Sequence, residues 1–225
     1  MTMKIKQLLN IPFLSLCFML LTLAACDAHR DFPDTTMKPC HILCTDGRVV
    51  SYNEYMSQKK TAIGVVFYVN QSGSTEHEGT GYAVYLWDVD PEAFADSIGT
   101  KQNTSADISK YDGNTNTFAI FNTNTMGSPL ANKVFNMWHY GQSAYIPSVA
   151  QMRLLYQNES TINEYIRKCG GDPISDNPDE CWYWTSTEVA GQEAAKAWLY
   201  SLSSGAIQET PKDQPHKARP IISIY

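Results

Sequence analysis

Positive charge is in short supply against negative in this chain. Seventeen Lys and Arg face 23 Asp and Glu, a net charge of −6, and no stretch gathers its basic residues into a stripe. Nucleic acid and anionic membrane faces bind through such stripes, so neither is expected as a partner. Catalytic signatures are also missing. There is no Gly-x-Ser-x-Gly elbow, no His-Glu-x-x-His and no phosphate-binding glycine loop. Five histidines are present: His29, His41, His77, His139 and His216, none with a sequence neighbour that suggests a triad. The reading is therefore non-enzymatic, with no cofactor and no metal. Internal repeats and low-complexity segments are absent too.

The N-terminus is informative. "MTMKIKQ" is a short basic segment, followed by the apolar "LLNIPFLSLCFMLLTLAA" and then by Cys26 in "LAAC". The apolar run is short for a permanent span and fits a cleaved leader. "LAAC" resembles the lipobox of bacterial lipoproteins, which implies that residues 1–25 are a signal peptide and that Cys26 is lipidated. Two or more acyl chains, each methylene contributing about 0.8 kcal/mol, hold a protein stably at a membrane. The expected location is the bacterial outer membrane, at the cell surface or its periplasmic face. Without its leader the chain keeps 15 basic and 23 acidic residues. Residues 26–39, polar and proline-punctuated, read as a tether, and residues 40–225 as one domain.

Cysteine is sparse, and two of the six are accounted for by the leader and the lipid. Cys40, Cys44, Cys169 and Cys181 remain, in a compartment that permits disulfides. Three pairings are open; the local one, Cys40 with Cys44 and Cys169 with Cys181, is the natural expectation. "CHILC" lacks the spacing of a zinc knuckle.

The order of elements is strands, helices, strands, an α+β pattern. "ILCTDGRVVS" predicts a hairpin turning at Asp46-Gly47. "TAIGVVFYVN" and "GTGYAVYLWDV" read as strands covered on both faces, because their apolar character is continuous. "KYDGNTNTFAIFNTNTMGS" predicts an ordered irregular loop. Three helices are expected next: one capped at Ser128-Pro129 and ending at Gly141, one capped at Ser148, and one opening on a Thr161–Glu164 capping box. "WYWTST", "KAWLYSL", "AIQET" and "RPIISIY" are the closing strands, with a turn at Ser204-Gly205.

As a set, "ILCTDG", "GVVFYV", "GYAVYL", "YDGNTNT", "YIPSVAQMRLLY", "YWTSTE", "KAWLY" and "RPIISI" resemble lipoproteins of gut bacteria in the collagen-like-adhesin C-terminal domain family. The resemblance spans roughly residues 42–225. It implies a C-type-lectin-like fold: a twisted antiparallel sheet with its N- and C-terminal strands paired, flanked by two or three helices and long loops. "GVVFYV" and "RPIISI" would be that closing pair. The function it implies is recognition of an extracellular carbohydrate or protein through the loop face. A structural or accessory subunit of a surface appendage or outer-membrane complex is the alternative.

The candidate ligand site lies in and before "CWYWTSTE". Strand alternation puts Trp182, Trp184, Ser186 and Glu188 on one face and Tyr183, Thr185 and Thr187 on the other. Trp184 is expected in the core. Trp182, near the strand's start, and an outward Tyr183 are the aromatic contacts, because a ring can stack on a sugar or peptide without using charge. Asp176, Asn177 and Glu188 supply the polar contacts. Asp172, Asp176, Asn177, Asp179 and Glu180 are oxygen donors of the kind calcium takes, but they lack the alternating register of an EF-hand. The partners expected are thus a membrane through the lipid, a glycan or host-matrix ligand, and surface proteins.

Overall fold

A computed structural model describes residues 36–123, 127–139 and 142–225. The leader, Cys26, most of the tether and Gly141 lie outside the described residues. Met37–Tyr225 forms one compact unit.

The first sheet begins with β1 (Ile42–Cys44) and β2 (Val49–Val50), the hairpin read from the sequence. Gly47 turns it with φ 78°, a left-handed conformation that costs glycine nothing. A short helix, α1 (Tyr52–Ser57), follows, capped by the Ser51 side chain on the Glu54 N–H. Then come β3 (Ala62–Val69) and β4 (Gly81–Tyr85), antiparallel neighbours. The sheet is completed by the last strand of the chain, β12 (Ile221–Ile224), in the order β12-β4-β3-β1-β2. Here the structure corrects an expectation. "RPIISI" pairs with "GYAVY", not with "GVVFYV", and β4 lies between the two.

Continuous burial of β3 and β4 has the cause the sequence suggested: both faces are covered. Tyr82, Val84 and Leu86 point into one core with Val65, Phe67, Met152, Leu155, Ile162 and Ile166. Ala83 and Tyr85 point into a second with Phe94, Ile120, Leu130, Val134, Ile146 and Trp184.

β5 (Val89–Ala93) leads into a long connection and then α2 (Gly113–Phe121). This helix stands where an irregular loop was expected. Its residues are poor helix formers, and tertiary contacts hold it. Glu78 accepts from the Asn114 and Thr115 N–H groups at its start, at 3.0 and 3.1 Å. Buried Thr117 Oγ1 accepts from the Ile146 N–H at 2.9 Å. α3 (Pro129–Phe135) has the expected Ser128 cap and first-turn proline. A two-residue ladder, β6 (Trp138–His139) with β7 (Gln142–Ser143), comes next.

The two helices expected after it are one. α4 (Val149–Lys168) runs unbroken for 20 residues, with a capping box formed by Ser148 and Gln151. Thr161 and Glu164 sit inside it. Nothing in "QNESTIN" breaks a helix, and burial of Ile162, Asn163 and Ile166 carries it through.

The second sheet contains β8 (Trp182–Glu188), β9 (Lys196–Ser201), β10 (Ile207–Pro211) and β11 (Pro215–Ala218), in the order β10-β9-β8-β11-β5. Its β8–β11 pairing is parallel, through Lys217 and Tyr183. The molecule is α+β, with two five-stranded sheets, one of them mixed, and four helices among the described residues.

Candidate functional site

β8 carries most of the residues read from the sequence, and its alternation holds from Trp182 to Trp184, before its ladder to β9 shifts register ahead of Glu188. Tyr183 enters the first core and Trp184 the second, with Trp182 packed partly buried beside the latter. Trp184 donates its indole N–H to the Glu92 carbonyl at 3.0 Å and meets Phe94 edge-on. Both faces of the strand are covered, however, so two of the expected ligand contacts are not on the surface.

Tyr183 is fully buried. Its hydroxyl donates to Asp88 Oδ2 at 3.4 Å and accepts from the Ser175 N–H at 3.3 Å. It therefore supports the acidic loop from beneath. Burial raises its titration point, which keeps the phenol protonated as a donor.

Glu188 is also fully buried. One carboxylate oxygen accepts from the Gln102 N–H at 2.8 Å and from Lys212 Nζ at 2.5 Å. The other accepts from the N–H and hydroxyl of Thr104, at 3.2 and 3.0 Å. Lys212, equally inaccessible, also donates to the Thr100 carbonyl at 3.2 Å. Glu188 thus fastens the 100–104 segment. Sequence alone made it a polar contact for a ligand, and nothing local marks Lys212 as its partner.

Trp182 does open onto solvent. It lines a groove of about 320 Å³ with Pro91, Leu199, Gln208, Pro215, His216 and Lys217. Those residues come from β5, β9, β10 and β11, so the groove crosses every strand of the second sheet. Asp179 and Glu180 form its rim. His216 stands edge-on to Trp184, and burial lowers its titration point. Lys217 lies over the Tyr183 ring, 4.5 Å from its centroid, and 3.1 Å from Asp88. An aromatic wall, two prolines and a rim of carboxylate and amide groups make a surface able to stack a flat apolar face and hydrogen-bond its edges.

Asp176 and Asn177 are exposed on the acidic loop but do not line the groove. Asn177 orders the loop itself, accepting from the Asp179 N–H through its side chain and from the Glu180 N–H through its carbonyl. Ile174 anchors the loop to α4, its carbonyl accepting from Asn163 Nδ2 and its N–H donating to Asn163 Oδ1. Among the described residues no three acidic, His or Cys side chains converge to hold a metal ion. Gln208, His216 and Lys217 were not read as site residues. Only the order of strands brings them to Trp182, and that order has no local signature.

A second cleft, about 640 Å³, lies between the loop after β3 and the start of α2. The His77 ring packs on Tyr111 with centroids 4.0 Å apart, and its Nε2 is 2.9 Å from the Tyr68 hydroxyl. Burial lowers the titration point of His77.

The four cysteines are free thiols in this structure, so neither bridge of the local pairing is formed in it. Cys40 precedes β1 in the left-handed conformation, at φ 70°, and Cys44 ends that strand. Cys181 Sγ faces Ser201 Oγ at 3.2 Å at the head of β8, while Cys169 caps α4 beside the first core.

No family model matches the chain, and no curated protein does. The chain shares its fold with a solved structure. That structure is a fimbrial protein from Bacteroides ovatus, with a TM-score of 0.63 and 16% sequence identity. The match covers 83% of this chain and 49% of that one, so this chain spans about half the length of its structural neighbour.

Proposed function

We propose that the protein is a non-catalytic, lipid-anchored module of the bacterial cell surface, serving as a structural or accessory subunit of an appendage or outer-membrane complex. The observation that carries this reading is the fold shared with a fimbrial protein over most of the chain. The lipobox-like "LAAC" supports an anchored, surface or periplasm-facing location. Affinity isolation of the full chain from native membranes, after mild cross-linking, tests it. A protein partner recovered in stoichiometric amount is expected. Recovery of the chain alone, folded and lipidated, would rule the subunit reading out.

The Trp182 groove favours a second role for the same module: binding an extracellular carbohydrate or protein, as its C-type-lectin-like family resemblance implies. Neutral or weakly polar ligands suit it, because stacking on Trp182 needs no charge and Lys217 is already engaged by Asp88. Glycan and matrix-protein panels, probed with the full chain and with Trp182→Ala, provide the test. Binding lost in the variant supports the role; absence of binding by folded wild-type protein across both panels removes it.

A further inference from the structure

The second cleft belongs to neither proposed role. It holds about 640 Å³ between the loop after β3 and the segment that leads into α2, and both of its walls are fixed from within. His77 and Tyr111 are joined by a parallel β-bridge, and their ring centroids lie 4.0 Å apart. Glu78 fastens the loop to the start of α2, accepting from the Asn114 N–H at 3.0 Å and from the N–H and hydroxyl of Thr115 at 3.1 and 3.0 Å. The opposite wall is pinned by α4 and its cap. Ser148 donates to the Lys110 carbonyl at 2.7 Å and Arg153 to that of Ile108 at 3.1 Å. The cleft therefore stands formed before any ligand enters it, which lowers the ordering cost of binding.

Its lining offers a flat ring surface and a set of acceptors. Both nitrogens of His77 are engaged by hydroxyls, Nε2 by Tyr68 at 2.9 Å and Nδ1 by Tyr82 at 3.4 Å. The imidazole thus adds ring area to that of Tyr111 and leaves the polar contacts to other residues. Asp107 and Asp112 each commit one carboxylate oxygen inside the protein, to Ser109 and Asn116, and keep the other. The Glu76 carboxylate, exposed on the loop, has no hydrogen-bond donor among the described residues. Lys110 is the cation of the lining. Spare acceptors outnumber donors, so a ligand that fits must bring O–H or N–H donors on neighbouring atoms, with an apolar face for the rings. A bare metal ion does not meet that description, since no three acidic, His or Cys side chains converge among the described residues. Acidic sugars and phosphates fail it too, because they add acceptors and negative charge.

We propose that this cleft is a ligand site separate from the Trp182 groove, for a pyranose ring without acidic substituents. The C–H face of the sugar stacks on His77 and Tyr111, and adjacent hydroxyls donate to the free oxygens of Glu76, Asp107 and Asp112 in charge-assisted bonds. Saturation-transfer NMR on the folded full chain tests it, with methyl glucoside, methyl galactoside and methyl mannoside as probes and glucuronate as the acidic control. Transfer to at least one methyl glycoside is expected, and none to glucuronate. Glu76→Gln alters an exposed side chain and leaves folding intact; the loss of one charge-assisted bond should weaken binding about tenfold. Tyr111→Leu, checked for folding by circular dichroism, should abolish binding, and Trp182→Ala should leave it unchanged. Absence of transfer to all three neutral glycosides from folded wild-type protein overturns the proposal, as does equal transfer to glucuronate. Binding that survives Glu76→Gln and Tyr111→Leu but is lost in Trp182→Ala overturns it as well, and assigns the sugar to the groove.

Discussion

Glu188 shows how far a residue's surroundings can reverse its reading. A carboxylate this deep is stable only because its oxygens take four donors, from Gln102, Thr104 and Lys212. Removing one member strands the other, so Glu188→Ala should destabilise the protein by about 3–5 kcal/mol in urea unfolding. The apolar replacement of both, Glu188→Leu with Lys212→Met, should recover a good part of that loss. His77 makes a prediction of the opposite electrostatic kind. Burial lowers its titration point, so the folded state favours neutral imidazole and the unfolded chain takes up the proton first. The stability this contributes is complete above the unfolded value of about 6.5 and is lost as pH falls below it. Urea midpoints measured from pH 7.5 down to pH 5 should fall, and His77→Gln should flatten that slope. Neither behaviour is written in the neighbouring residues: the donors that hold Glu188 and the Tyr68 and Tyr111 rings around His77 come from other segments.

At the level of elements, β8 was the most legible and α2 the least. Alternation in "WYWTSTE" separated Trp182 and Trp184 from Tyr183 correctly, because strand geometry alone dictates it. Whether a face is wet depends on what packs over it, and the sequence has no term for the loop above Tyr183. Trp184→Ala should accordingly cost about 3–5 kcal/mol, while Trp182→Ala, at the edge of the second core, should cost under half as much; guanidinium unfolding followed by circular dichroism would compare them. α2 escaped notice because "GNTNTFAIF" has low intrinsic helicity, and its stability comes from Glu78, Thr117 and burial of Ile120. α4 was legible in its cap but not in its length. Ser148 accepts from Gln151 and donates to the Lys110 carbonyl at 2.7 Å. Ser148→Ala should therefore cost about 1–2 kcal/mol, and hydrogen exchange should quicken in the first turn of α4 and around Lys110 together.

For the molecule as a whole, the α+β class and the central strands β3 and β4 could be read from sequence, whereas the partner of the C-terminal strand, β4 and not β3, could not. The split into two sheets could not, since it rests on β5, with Pro91 and two acidic residues, pairing with β11 from the other end of the chain. Anchoring has its own test: Cys26→Ser should abolish incorporation of a labelled fatty acid and release the protein from the membrane fraction, with unchanged folding. The position of β12 has one more consequence. Tyr85 donates its N–H to the Pro220 carbonyl and Thr80 to that of Ile224, so this edge of β4 has no partner until β12 docks on it. A chain cut before β12 presents Tyr82 and Val84 on an open strand, the kind of edge that recruits other chains.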